Sequence, residues 1–245
     1  MELAPLVGVL WVWTLPIQAQ QTATTPQPVP ASGTLQLDRA QPIDDTVLEG
    51  VVLPRAEQYH VQLTRTESEP VLDGVLDEEA WLTAAVINDF VQQEPSEGEP
   101  ATEQTIVRLM YSARSLYIGV EAYTTKGGTV IATEMRRDSP RILDEDNIQF
   151  IFDTFHDSRS GYMFVTNPLG AKLEQQISEE GEGGRRGISS NINRDWDGVW
   201  DVSSRQTDDG WVSEISIPLV TLRFPAAETQ RWGFNMMRNI RRKNE

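Results

Sequence analysis

The sequence predicts an all-β fold, an antiparallel β-sandwich of jelly-roll or immunoglobulin-like type with a short helix near its start. Three observations predict it. Runs of β-branched and aromatic residues recur along residues 67–245 with turn signals between them. The run "WVSEISI" alternates, with Trp211, Ile215 and Ile217 on one face and Glu214 and Ser216 on the other, the pattern of a strand buried on one side. Helical segments are short throughout, which disfavours a parallel α/β sheet. A closed barrel is the structural alternative.

Taken in order, the chain opens on an apolar run, Leu3 to Ile17 ("LAPLVGVLWVWTLPI"), that is short for a membrane span. "IQAQQ" follows with Ala19 at a cleavage-like position, so residues 1–19 read as a signal peptide, although Glu2 precedes the run and no Lys or Arg does. Residues 20–66 read as a Pro/Thr-rich linker and a loosely ordered lead-in, in which "LEGVVLP" and "YHVQLTRT" each offer a strand. The domain proper is expected over residues 67–245.

It begins with "VLDGVLDEEAW", Val71 to Trp81. Asp73-Gly74 signals a turn, and Asp77 is placed to cap a short helix with Glu78 and Glu79 in its first turn. Ala80, Trp81, Ala84 and Ala85 then share a helix face, with Trp81 as a core plug beneath the sandwich. "TIVRLMYS" and "SLYIGVEAY" read as a hairpin, "NIQFIFDTF" and "GYMFVTN" as a second, and "DVSSRQT" and "WVSEISI" as a third across "DDG". "EEGEGGRRG" has no apolar content and reads as a loop, and "RWGFNMMRNI" supplies a final strand.

Composition excludes several functions. The chain has 245 residues, 39% of them apolar, which is enough for a sizeable core. It has no cysteine, hence no disulfide, thiolate metal site or thiol nucleophile. His60 and His156 are the only histidines and sit in no zinc pattern. A formal charge of −16 opposes binding to phosphate backbones, so no nucleic-acid partner is expected. The terminal "RNIRRKNE" is basic against this trend and reads as one edge of a domain.

In order, "EPVLDGVLDEEAW", "TIVRLMYSARSLYIGVEAY", "RRDSPRILDEDNIQFIFDTFHDSRSGYMFVTNPLG", "WDGVWD", "DGWVSEISIPLVTLRF" and "WGFNMMRNIRRKNE" resemble the family 9 carbohydrate-binding module. The version resembled stands at the N-terminus of large bacterial envelope proteins, and the resemblance covers residues 67–245. It implies a noncatalytic sandwich that binds poly- or oligosaccharide, often with structural Ca2+, in proteins linked to xylan or cellulose catabolism beside glycoside hydrolases. It also implies an exported protein, in the periplasm, at the outer membrane surface or secreted, continuing into a C-terminal membrane barrel region absent from this chain. Sugar-binding members carry a tryptophan three residues before the acid that opens the "DNIQF" strand, where this chain has Leu143. They also carry a hydroxyl-bonding arginine in the next strand, where this chain has the apolar residues of "YMFVTN".

Candidate binding residues follow from sugar chemistry, in which aromatic faces cover C–H surfaces and charged or amide groups bond hydroxyls. Trp196, between two acids, reads as the best exposed aromatic and the leading platform. Arg136, Arg137 and Asp146 of "MRRDSPRILDED", with Asp138 and Asp144, suit either hydroxyls or an internal salt-bridge network. Asn167 suits a ligand or a turn before Pro168. Asn193, Asp195, Asp197 and Gly198 repeat the 1, 3, 5, 6 spacing of an EF-hand loop, but the twelfth position is Ser204 rather than Glu. They are the candidate calcium ligands; an exposed turn presenting Trp196 and packing Trp200 is the alternative.

No catalytic residue is assigned. With 37 acids in the chain, a glycosidase-like carboxylate pair arises by chance. Three functions therefore compete: a carbohydrate-binding module, a structural or docking head of an outer-membrane protein without sugar affinity, and an O-glycosyl hydrolase with an unrecognised carboxylate pair.

Overall fold

A computed structural model of the chain describes residues 35–39, 60–178 and 192–245. The expected signal peptide, the linker, the "LEGVVLP" strand and the "EEGEGGRRG" loop lie outside the described residues. Among the described residues no helix is long and apolar enough to cross a membrane.

The fold is an all-β sandwich. Its elements are β1 (Leu35–Arg39), β2 (His60–Gln62), β3 (Thr64–Arg65), α1 (Glu79–Leu82), β4 (Ala85–Ile87), β5 (Thr105–Tyr111) and β6 (Ser115–Tyr123). There follow β7 (Asn147–Asp153), β8 (Ser160–Thr166), β9 (Lys172–Ser178), β10 (Ile192–Asn193), β11 (Asp201–Thr207), β12 (Gly210–Pro218) and β13 (Gln230–Asn239). One sheet runs β10-β9-β8-β7-β13-β1-β2 and the other β11-β12-β6-β5-β3, with β4 also pairing β5. Pairing is antiparallel except for β1 on β13 and β3 on β5. The lead-in before residue 67 thus supplies β1 and β2 to one sheet and β3 to the other.

The three expected hairpins form as β5/β6, β7/β8 and β11/β12, and the strand pattern explains each. Alternate residues of β5 and β6, from Val107 and Leu109 to Ile118 and Val120, meet Phe150, Phe152, Phe164, Trp211, Ile215 and Trp232 in one core between the sheets. Phe152 lies edge-on to Phe164 at 6.3 Å and to Trp232 at 6.5 Å, which locks the β7–β8–β13 side of that core.

The opening segment departs from expectation in three ways. Asp77 caps nothing; Glu78 is the N-cap residue, and its carboxylate instead accepts the Val71 N–H at 2.7 Å and the Trp81 Nε1–H at 3.1 Å. The helix stops at Leu82, so Ala85 opens β4 rather than continuing the helix face. Trp81 is buried, but outside the inter-sheet core: with Ala84, Met110 and Tyr117 it forms a second cluster on the outer face of β5 and β6. Gly119 makes room there, since a Cβ at that position would lie 3.1 Å from the Trp81 ring and 2.7 Å from Leu76. The face of β12 read as solvent-facing is accordingly covered, and Glu214 on it is fully buried.

Candidate functional site

Trp196, Arg137 and Asp197 gather at the edge of the sandwich where β9 and β10 meet the loop 194–200. Trp196 is half-buried there and not the best exposed aromatic the sequence suggested, since Phe155 is 47% exposed. Its ring leans on Tyr162 at 5.0 Å and Phe164 at 5.9 Å between centroids, so the inter-sheet core supports it from below. Gly198 lets the ring fold back: a Cβ at that position would lie 2.7 Å from the Trp196 six-membered ring. A supported aromatic with a remaining exposed surface can cover the C–H face of a pyranose without being ordered on binding.

Arg137 fastens this loop to the sheet. Its guanidinium donates to the carboxylates of Glu174 and Asp197, and to the Gly198 carbonyl at 3.0 Å. Glu174 projects from β9 into the interior, 1% exposed, and also accepts the Trp200 Nε1–H at 2.9 Å. A buried carboxylate with two such donors is satisfied, and hydrogen bonding to Glu174 holds the Arg137 guanidinium firmly protonated. Lys172 donates to the Trp200 carbonyl at 2.6 Å and lies 5.4 Å above the Trp200 ring.

Arg136 points elsewhere. Its guanidinium forks onto Glu134, Nε to Oε1 at 3.1 Å and Nη2 to Oε2 at 3.0 Å. That pairing, with a hydrogen bond from the Ser139 hydroxyl, holds the Glu134 carboxyl far below the usual carboxylate range. Between the named Asp144 and Asp146, Glu145 is the acid that organises the loop. It accepts the Thr133 N–H at 2.6 Å, the Glu134 N–H at 3.0 Å and the Asn167 Nδ2–H at 2.6 Å. Asn167, fully buried, also donates to the Glu134 carbonyl and accepts the Leu169 and Ala171 N–H groups at 3.0 Å. Its role in this structure is to order the turn around Pro168.

Asp146 is 6% exposed and accepts the Ile131 N–H at 2.8 Å and the Arg241 N–H at 2.7 Å. Burial pushes its carboxyl up, and those N–H groups oppose the shift. The terminal basic run is likewise internal structure. Arg242 and Lys243 pair with the buried Glu103, and Arg238 donates to the Gln104 and Tyr123 carbonyls at 3.0 and 2.7 Å. Burial lowers the Arg238 pKa to about 10.

The calcium candidates do not form a shared cage. Asn193 lies in β10 and its Oδ1 accepts the Asp195 N–H at 3.1 Å, while Asp197 is held by Arg137. Asp195 is exposed, and among the described residues no group of three His, Asp or Glu side chains is gathered as for a metal.

The structure therefore brings Trp196, Arg137 and Asp197 together. Asp146 and Asn167 are buried in the scaffold, and Arg136, 71% exposed, forks onto Glu134 instead; Glu174, Glu145 and Tyr162, which the sequence did not single out, are added. Glu174 sits in "KLEQQIS", where a charged residue at an inward position hides the strand: Lys172, Glu174 and Gln176 share the inward face, and Leu173 and Ile177 lie on the other.

No family model matches this sequence, and no curated protein is significantly similar to it. Two solved structures of a family 9 carbohydrate-binding module from Caldicellulosiruptor kristjanssonii are similar at TM-scores of 0.48 and 0.44 and 17% and 15% identity. One is in complex with glucose and the other with cellotriose. They share 72% of this chain with 78% and 75% of theirs. A "putative carbohydrate-binding protein" from Bacteroides uniformis is similar at a TM-score of 0.53 and 12% identity, over 73% of this chain and 83% of that one. At that identity the likeness establishes a shared β-sandwich fold.

Proposed function

We propose that the domain is a noncatalytic carbohydrate-binding module of an exported protein engaged in polysaccharide breakdown, with Trp196 as its sugar platform. The observation that carries the reading is the Trp196 ring, half-exposed yet seated on Tyr162 and Phe164, with Asp197 beside it as a hydroxyl acceptor. The family 9 resemblance of the ordered motifs and a sandwich fold shared with a protein described as carbohydrate-binding support the ligand class. The apolar N-terminal run supports export. The buried acids Glu103, Glu134, Glu145, Asp146, Glu174 and Glu214 each accept bonds from backbone or side-chain donors, which suits scaffold roles better than a catalytic pair.

Leu143, 37% exposed where family members carry a tryptophan, favours a second reading, a docking head without sugar affinity. Calorimetry against xylan, cello-oligosaccharides and monosaccharides separates the two. The module reading expects measurable heat for at least one glycan and at least a tenfold loss in Trp196→Ala. No heat for any glycan makes the docking head the better account, whereas glycan heat that Trp196→Ala leaves unchanged keeps the module and removes Trp196 as its platform.

A further inference from the structure

The outer face of the β6–β12 pair carries a hollow of about 180 Å3, formed by the last residues of β6 and the β11–β12 hairpin and lined by neither Trp196 nor its supports Tyr162 and Phe164 in the other sheet. Register places Thr207, Gly210 and Tyr123 in one row across three strands, and Arg205, Val212 and Glu121 in the next. Tyr123, Glu121 and Val212 are half-buried and line the hollow, with Thr207 and Asp209 exposed at its rim. The rim is held in place, because the Thr124 N–H donates to the Asp209 carbonyl at 2.6 Å. Glu121 is held as well, accepting from Arg108 at 3.2 Å and from the Tyr123 hydroxyl at 3.1 Å.

We infer that this hollow is a second binding site, for a single neutral pyranose unit. The inference takes its ligand class from the carbohydrate-binding reading above. Size limits the occupant: the volume falls below the ~300 Å3 at which drug-sized ligands are buried, which suits one ring rather than a chain. The lining pairs an aromatic and a branched apolar side chain, Tyr123 and Val212, with acceptors on Glu121, Asp209 and Thr207, as a ring with C–H faces and hydroxyl edges requires. Charge sets the specificity. Arg108 is committed to Glu121, Arg205 in the Val212 row is exposed and not among the lining residues, and Asp209 adds a further carboxylate, so the lining repels a uronic acid or other anionic sugar while hydroxyl donors are accepted. Preformed side-chain positions suit a weak, fast-exchanging site that catches chain ends or side branches once Trp196 has engaged the polymer, raising avidity through effective concentration.

The test is a nitrogen–proton NMR titration of the full chain with methyl glucoside, methyl xyloside and methyl glucuronide. Neutral glycosides are expected to shift the amides of residues 121–123 and 207–212 in wild type and in Trp196→Ala alike. The glucuronide is expected to bind at least tenfold more weakly. Val212→Trp, which fills the hollow, and Asp209→Ala, an exposed hairpin change that leaves the fold in place, are each expected to remove or weaken those shifts at least tenfold. Shifts confined to residues 193–200 overturn the second site and leave the Trp196 reading standing. Shifts confined to the hollow establish the second site and overturn that reading. Neutral glycosides leaving both regions unmoved, or the glucuronide binding as well as they do, overturn the inference.

Discussion

Glu214 and Glu103 are almost equally buried, at 0% and 3% exposure, yet the protein holds them in opposite ways. Glu214 lies beneath the 71–81 segment and is held by N–H groups alone: Asp73 and Gly74 at 2.8 Å on one oxygen, Trp81 Nε1 at 3.2 Å on the other. Glu103 receives the Thr125 N–H and hydroxyl at 2.7 Å and also pairs with Arg242 and Lys243. Burial wins at Glu214 and pushes its carboxyl up. At Glu103 burial pushes up too, but hydrogen bonds from Lys243 and Thr125 outweigh it and bring the pKa to about 2. Dipoles satisfy a buried carboxylate without neutralising it, whereas cations do both.

The largest expected effect tests what Glu214 is for. Trp81→Ala removes the plug of the outer cluster and one of the three donors to Glu214, and should destabilise by about 3–5 kcal/mol in urea denaturation. Loss of under about 1 kcal/mol would mean that the 71–81 segment is decoration on the sheet rather than part of the folding unit.

The sharper test is pH. Glu103 has its pKa lowered from 4.5 to about 2, so its contribution is present above pH 4.5 and lost as pH falls toward 2. Glu214 has its pKa raised, so the folded state takes up its proton first and its effect on stability has the opposite sign, falling as pH rises through the folded pKa. Glu103→Gln should therefore cost about 2 kcal/mol at neutral pH, allowing for the partly exposed partners Arg242 and Lys243, and flatten the acid limb of a stability–pH curve. Glu214→Gln should cost about 1–2 kcal/mol at neutral pH, because the new amide faces the Trp81 N–H donor, and should steepen that limb. Identical curves for the two variants would erase the distinction.

These partners also mark where the sequence is legible. β5 to β8 and β12 are readable because β-branched and aromatic residues alternate between turns, and one inter-sheet core rewards that alternation, while β11 is readable as the partner of β12 across "DDG". Trp81 is recognisable as buried, but its location is not, since Gly119 and Glu214 come from distant strands. β9 is concealed because Lys172, Glu174 and Gln176 face inward, where Trp200 and Arg137 satisfy Glu174. Ala84 and Ala85 suggest helix by propensity, but pairing of Ala85 with Leu109 makes a strand. The basic terminus reads as an anomaly because its acid partner, Glu103, lies 139 residues earlier than Arg242. At the candidate site, Trp196 and Arg137 are visible as residue types, and their support by Tyr162 and Glu174 is not.

Glu174 extends the comparison to the candidate edge around Trp196, since it has both kinds of donor, the Trp200 N–H and the Arg137 cation. Arg137→Ala should convert it into an N–H-held acid like Glu214. The expected loss is about 1–2 kcal/mol, reduced because Arg137 is 41% exposed, together with weaker glycan binding as the Trp196 loop loses its tie to β9. A positioning role predicts that stability and affinity fall together and that Arg137→Lys restores only part of each, since an ammonium cannot fork over Glu174, Asp197 and the Gly198 carbonyl. Affinity lost at unchanged stability would instead make Arg137 a direct sugar contact.

A metal ion would be a third way to hold carboxylates, and the smallest effect is expected where the sequence pattern suggested one. At Asn193, Asp195 and Asp197 a calcium would have to displace the Asp195 N–H from Asn193 and Arg137 from Asp197, leaving Asp195 as its free ligand. The ion needs six to eight oxygens, and at Asn193 Oδ1 and Asp197 Oδ1 each bond it forms first breaks one the fold already has. A ligand that binds only the folded chain raises Tm in proportion to RT ln(1 + [L]/Kd). Millimolar calcium and excess chelator should therefore give Tm values within about 1 °C of each other, whereas a rise of several degrees that Asp195→Ala abolishes would show that the loop rearranges to trade Arg137 for the metal.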